Sequence, residues 1–274
     1  MSTLKIVEFR SEGMGFFMKY LRTLSEKKGW GWVFEVHSEF SPELLKGATA
    51  VKIEPSLSSQ VLSHMKVLPT QVRAVEVVDS LFQEDGSWYP RLLLHESMRS
   101  VLVTNARDLD IRAPAFVVGD NETARVVSAA LVEMGIADIY LIGDVSQLQS
   151  QKDILTRSQL GVRFHILPME DLTLQSVSAG IVVNVVDLSQ HKSLLTDLSY
   201  FNFMKGTGYA LDLNLFPIHN LLLEEAERAD LRVLHPVLIA EVLTRLWLER
   251  LKVTEVSTQE IHESWKLFLQ ENPS

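Results

Sequence analysis

Short apolar runs alternate with amphipathic stretches along most of the chain. Leu4-Lys5-Ile6-Val7-Glu8-Phe9 reads as a strand, and Phe16 to Lys28 carries a helical period that ends near Gly29. Trp32 to Val36 is a second strand, bounded by Gly31 before it and Ser41-Pro42 after it. Ala50 to Ile53 and Ala74 to Val78 read as two more strands, with a helical segment from Ser58 to Lys66 between them. Glu84-Asp85-Gly86 is a turn, and Arg99 to Leu109 is the helix leading out of the region. Strands alternating with helices in this way argue an α/β unit.

The middle of the chain has a plainer pattern. Ala115-Phe116-Val117-Val118 is a buried strand, Gly119 begins a turn, and Thr123 to Met134 is a helix stopped by Gly135. Ile139-Tyr140-Leu141-Ile142 follows as a strand, then Gly143-Asp144. This is a βαβ unit of about thirty residues, the size of a mononucleotide-binding half. Arg163 to Leu167, Gly180 to Val186 and Tyr209 to Leu213 are further strand candidates. Pro236 then opens a helix with apolar residues at 238, 239, 242, 243, 246, 247 and 251. That stripe is too wide for a surface helix, so it packs against a domain or a partner subunit. A final helix runs from about Thr258 to Leu269.

Composition narrows the classes. Hydrophobic residues are 46% of 274, enough for a sizeable core, and charged residues are 22%. There is no cysteine, which excludes a disulfide framework, a thiol nucleophile and a Cys-ligated metal. The eight histidines show no H-x-x-x-H spacing, so no metal site is expected. The formal charge of -9, with no run of Lys or Arg, argues against nucleic acid as a partner. Neither a leader nor a membrane-spanning run stands out, so the expectation is a cytoplasmic protein with no membrane partner.

Several segments together resemble the shikimate dehydrogenase family over almost the whole length. Gly119-Asp120-Asn121-Glu122-Thr123-Ala124-Arg125 sits where that family has a Gly-Ala-Gly-Gly-x-x-Arg loop. Asn184-Val185-Val186 sits at its Asn-Ala-Thr, and Asp212-Leu213-Asn214-Leu215-Phe216-Pro217 at its Asp-x-x-Tyr-x-Pro. The resemblance implies an α/β fold of two lobes with a cleft between them. Residues 1–103, completed by 237–274, would form a substrate-type domain, and 104–236 a Rossmann-like parallel-sheet domain. Family members bind NADP and reduce 3-dehydroshikimate with a Lys and an Asp.

At the positions that carry this chemistry the chain departs from the family. The His-Ser-x-Ser-Pro segment that holds the substrate carboxylate corresponds to Gly13-Met14-Gly15-Phe16-Phe17, without a hydroxyl. The Asn-Val-Thr-x-Pro-x-Lys segment maps onto Val51-Lys52-Ile53-Glu54-Pro55-Ser56-Leu57, so Leu57 stands at the catalytic lysine. Glu76, in Val75-Glu76-Val77, falls at the substrate-binding Asn, and Glu241 at the Gln of the C-terminal helix. Those two acids would repel an anionic substrate. The segment bearing the catalytic Asp aligns near Leu94-His95-Glu96-Ser97.

Individual residues keep two readings each. Gly119, Asn121, Thr123, Arg125, Asp144 and Asn184 are the cofactor-binding candidates. Asn121 or Asp120 serves equally as the N-cap of the following helix, with Glu122 in its first turn. Asp144 either meets a ribose hydroxyl, favouring NAD over NADP, or caps a helix. His95-Glu96 is an acid–base couple or a solvated pair near a helix start. Lys205-Gly206-Thr207-Gly208 is an anion nest or a loop, and Glu241 with Arg245 an ordinary ion pair.

Two functions follow. The first is a pseudoenzyme of shikimate-dehydrogenase type, with no cofactor, that binds a small molecule or a partner protein. The second is an NAD-linked oxidoreductase with an altered substrate that uses Lys52, His95 or Glu96. A homodimer is the assembly to test in either case.

Overall fold

The computed structural model describes residues 4–188, 196, 198, 201–215 and 220–272. The chain forms two compact units, Met1–Leu94 with Ala240–Asn272, and His95–Ile239. The first division thus falls at Leu94/His95 rather than near residue 103. The connecting helix starts at Leu93, six residues before the apolar pattern placed it.

The first unit holds a five-stranded sheet in the order β2-β1-β3-β4-β5. Strands β1 (Lys5–Phe9), β2 (Val33–His37) and β3 (Ala50–Ile53) are parallel. Strands β4 (Ser80–Glu84) and β5 (Ser87–Arg91) form an antiparallel hairpin beside β3. Its turn is Asp85-Gly86, both with positive φ, the conformation a two-residue hairpin loop demands. Ala74 to Val78 is not the fourth strand. Ala74 and Val75 end the short helix Thr70–Val75, Glu76 turns the chain with φ 53°, and pairing begins only at Ser80. A buried apolar run of this length is common to a helix end and a strand, so periodicity could not separate them. The helix expected over Ser58 to Lys66 is shorter, Ser58–Leu62.

Helix α1 (Phe16–Lys28) ends at Gly29, whose φ of 67° suits glycine. Its partners are the helices α8 (Pro236–Arg250) and α9 (Thr258–Glu271). Tyr20 stacks on Trp265 at 3.7 Å between ring centroids, and the Trp265 indole N–H donates to Thr244 Oγ1 at 3.0 Å. Trp247 packs its ring against Phe17 and Phe82. Trp247, one member of the wide apolar stripe of α8, is therefore used within the unit. Burial pushes the Tyr20 hydroxyl up to about 12, and it stays neutral beside Ser264.

The second unit is a six-stranded, all-parallel sheet. Its strands are β6 (Ala115–Val118), β7 (Asp138–Gly143), β8 (Arg163–Pro168), β9 (Ala179–Asn184), β10 (Met204–Asp212) and β11 (Arg232–Leu234). The spatial order β8-β7-β6-β9-β10-β11 is the 3-2-1-4-5-6 order of a doubly wound dinucleotide fold. Helices α4 (Leu93–Asn105), α5 (Glu122–Glu133), α6 (Val145–Ser158) and α7 (Leu221–Arg228) accompany it. Lys205 to Gly208 belong to β10, where the pairing register shifts, and not to a loop or nest. Phe216 and Pro217 lie outside the described residues. Among the described residues, no helix is long and apolar enough to cross a membrane.

Candidate functional site

In the first unit the charged side chains collect at the ends of β1 and β3. Glu8 and Lys52 are direct neighbours across these parallel strands, so both point to one face. Glu8 is 4% exposed. One of its oxygens accepts the Gly15 backbone N–H at 2.8 Å, at the start of α1, where the N-cap glycine has no side chain to do so. A Cβ on Gly15 would come within 2.5 Å of the other Glu8 oxygen, so the glycine is what admits the carboxylate. Beyond the strand ends, Glu54 accepts both the N–H and the hydroxyl of Ser11, at 3.0 and 2.8 Å. Arg10 lies 3.9 Å from Glu54.

The two acids respond differently. Burial raises the Glu8 carboxyl above its ordinary value, against the Gly15 hydrogen bond and the nearby Lys52 and Arg10 charges. Burial also opposes ionisation of Glu54, but the Ser11 bonds and Arg10 outweigh it and the pKa is lowered. The contribution of Glu8 to stability is therefore complete below the unfolded value of 4.5 and is lost as pH rises through the raised folded value. Glu8→Gln should accordingly gain melting temperature relative to the parent as pH rises from the unfolded value of 4.5 through the raised folded value. Thermal melts of the pair that differ by a constant amount across this range would contradict it.

Lys52 Nζ donates to the Asp79 carbonyl at 3.2 Å. The Asp79 carboxylate, itself 1% exposed, accepts the N–H groups of Leu93 and Leu94 at 2.9 and 2.6 Å and the Ser80 hydroxyl at 2.8 Å. It is the cap of α4. The sheet thus presents Val78-Asp79-Ser80, whereas Glu76 sits exposed at the end of a helix. Leu57 closes a 3-10 turn, Pro55–Leu57. On α8, Glu241 pairs with His262 at 2.8 Å while Arg245 pairs with Glu249 at 2.7 Å, so the expected Glu241–Arg245 pair does not form.

His95 and Glu96 belong to the second unit and do not form a solvated pair. His95 is 2% exposed, with Nε2 3.5 Å from Glu133, and burial lowers its pKa so that the ring stays neutral. Adjacent residues of a helix point about 100° apart, which leaves Glu96 on a different side.

The nucleotide-type loop lies where β6 and β9 diverge in connectivity. Gly119 has φ 134°, and an added Cβ would collide with Val185 and lie 3.0 Å from Val186. Asn121 is the N-cap of α5, its side-chain oxygen accepting the Thr123 and Ala124 N–H groups at 3.0 and 3.3 Å. Asp144 caps α6, one oxygen accepting the Ser146 and Gln147 N–H groups and the Ser146 hydroxyl. Asp120 reaches across and accepts the Asp144 N–H at 3.1 Å. Arg125, 7% exposed, donates to Gln151, which donates to the Asp120 carbonyl, so both are framework for the loop. Asn184 is fully buried and bonds to the backbone of Val186. Asp212, raised by burial, accepts from Asn214 and Asn220.

Glu8, Arg10, Ser11, Glu54, Asp79 and Gln151 are candidate-site residues that sequence patterning passed over, whereas Asp120, read as a possible N-cap of α5, accepts the Asp144 N–H instead. One signal existed for Glu8, an acid within a strand otherwise buried on both faces.

By sequence, no family model and no curated protein matches the chain. Solved structures do match in fold. A quinate dehydrogenase from Corynebacterium glutamicum, in complex with NAD, superposes with a TM-score of 0.81 at 13% identity, over 97% of this chain and 99% of that one. A shikimate 5-dehydrogenase from Listeria monocytogenes, in complex with shikimate and NAD, gives 0.77 at 13%, over 95% of each chain. A shikimate 5-dehydrogenase-like protein gives 0.74 at 14%, over 98% of each. The chain has the shikimate-dehydrogenase-like fold.

Proposed function

We propose that this chain is a shikimate-dehydrogenase-like protein without dehydrogenase chemistry, a module that binds a small molecule or a partner protein and takes no nicotinamide cofactor. One observation carries the reading: the helix-start donors that would receive anions are already held by the chain's own side chains. Asn121 holds two N–H groups of α5, Asp144 those of α6, Asp79 those of α4, and Glu8 the Gly15 N–H at α1. A pyrophosphate needs such N–H groups free and close backbone approach at glycine. Here it would displace the Asn121 cap, costing about 1 kcal/mol, and meet Glu122 in the first turn of α5. Opposed charges at partial exposure add on the order of 1 kcal/mol or more. These residues do not fit the dinucleotide.

The same reasoning applies to a carboxylate substrate. Ser11 is the one hydroxyl between β1 and α1, and Glu54 holds it. Leu57 has no proton to give where the family carries its lysine, and proton transfer requires a titratable group within about 3 Å.

A second reading, an NAD-linked oxidoreductase with an altered substrate, draws on the juxtaposition of Lys52 and Glu8. One experiment separates the two. Calorimetric titration of the protein with NAD and with NADP, each to millimolar concentration, should give no saturable heat. Saturable binding of either would overturn the proposal and restore the second reading. NAD would then be the tighter by about tenfold, since Asp144 opposes a 2′-phosphate.

A further inference from the structure

The first unit contains a concavity beside the β4–β5 hairpin. Ser80, opposite Lys52, begins β4, whereas the hairpin turn that leads into Ser87 and Trp88 lies at the far end of that strand. The cavity has a volume of about 400 Å³, and its lining includes Pro42, Leu45, His64, Met65, Lys66 and Trp88. This is the size of an ordinary small-ligand pocket.

The fold presents these residues for identifiable reasons. Tyr89 lies opposite Phe82, whose ring packs on Trp247. Ser87, Trp88 and Tyr89, successive residues at the start of β5, all line the cavity, and the Trp88 indole is the largest flat surface among them. Pro42 and Leu45 come from a single 3-10 turn capped by Ser41. The His64 ring rests 5.5 Å from that of Phe40, which packs in turn on Phe9, so His64 is positioned from behind.

The charge of the lining decides the ligand class. In a chain with 35 acidic and 26 basic residues, no Asp or Glu lines this cavity, and Lys66 is its one formal charge. We infer that the cavity binds a small planar aromatic carboxylate, its ring against Trp88 and its anion at Lys66. A flat indole favours stacked rings, and an ammonium on a flexible stem supplies a point charge for the carboxylate. The inference uses no residue of the strand-end site or of the nucleotide-type loop.

The test uses three isosteric probes, 2-naphthoate, 2-naphthylmethylamine and 2-naphthalenemethanol, titrated calorimetrically into the full chain. 2-Naphthoate should bind saturably with one site, and the amine and the alcohol about tenfold or more weakly. Lys66→Glu, an exposed position that leaves the fold intact, should cost naphthoate about tenfold or more and spare the alcohol. Trp88→Ala should weaken all three. Absence of saturable naphthoate binding at millimolar concentration overturns the inference. So does equal affinity for acid and amine, or indifference of naphthoate binding to Lys66→Glu. None of these outcomes depends on the nucleotide titration.

Discussion

Replacing Asp79 by alanine is expected to lower stability by about 3 kcal/mol. The carboxylate serves three donors in a site almost closed to solvent: Leu93 N–H, Leu94 N–H and the Ser80 hydroxyl. Loss of a helix cap alone costs about 1 kcal/mol. Each buried donor left without an acceptor adds roughly 1–3 kcal/mol, and water reaches the Leu93 N–H poorly. Asp79→Asn keeps one acceptor oxygen and should lose about half as much. Urea denaturation of the parent and both variants, followed by tryptophan fluorescence, measures this directly. A loss below about 1 kcal/mol for the alanine variant would show that the carboxylate is not the cap described. The comparison also separates roles, because a residue kept for ligand binding would show its effect in affinity and little in the midpoint.

Gly119→Ala is expected to cost a similar amount, about 3 kcal/mol, for a different reason. The backbone at φ 134° is one that side chains rarely adopt, a strain of roughly 1–3 kcal/mol. The new methyl also collides with Val185, whose N–H donates to the Val118 carbonyl, and presses on Val186, which the Asn184 amide holds. Overpacking of this kind costs about 1–3 kcal/mol. A double-mutant cycle with Val185→Ala distinguishes the two. The contact portion should appear as a coupling of about 1 kcal/mol or more, and the backbone portion should persist in the double variant. Purely additive effects would mean that the valine side chain does not close on the glycine.

The α/β class and most elements were legible because both periodicities are strong here. Phe16 to Lys28, Ala50 to Ile53 and Ala115 to Val118 lie where the pattern places them. The hairpin was not, because its strands begin only at Ser80 and carry Gln83, Glu84 and Pro90, which break the alternation. Its absence moved a strand back onto Ala74 to Val78 and with it the acid of interest from Asp79 to Glu76. The caps at Asn121 and Asp144 were readable as one of two alternatives, since an N-cap and a ligand contact require the same residue types in the same place. What patterning could not supply was which acceptor each buried donor finds. The bond from Gly15 to Glu8 joins residues seven apart, and that from Leu93 to Asp79 fourteen apart.

The first unit is built from two stretches of chain that are far apart in synthesis order. Helix α1 emerges early, yet the ring on which Tyr20 stacks belongs to Trp265, and the residue accepting that indole's N–H is Thr244. The second unit is continuous between them, so its sheet can close while the first still lacks a partner for one apolar helix face. A nascent chain therefore carries Phe16, Tyr20 and their neighbours uncovered until Thr244 and Trp265 have been made, exposed to other chains and to chaperones. Helix α9, which brings Trp265, is the one that ends this exposure.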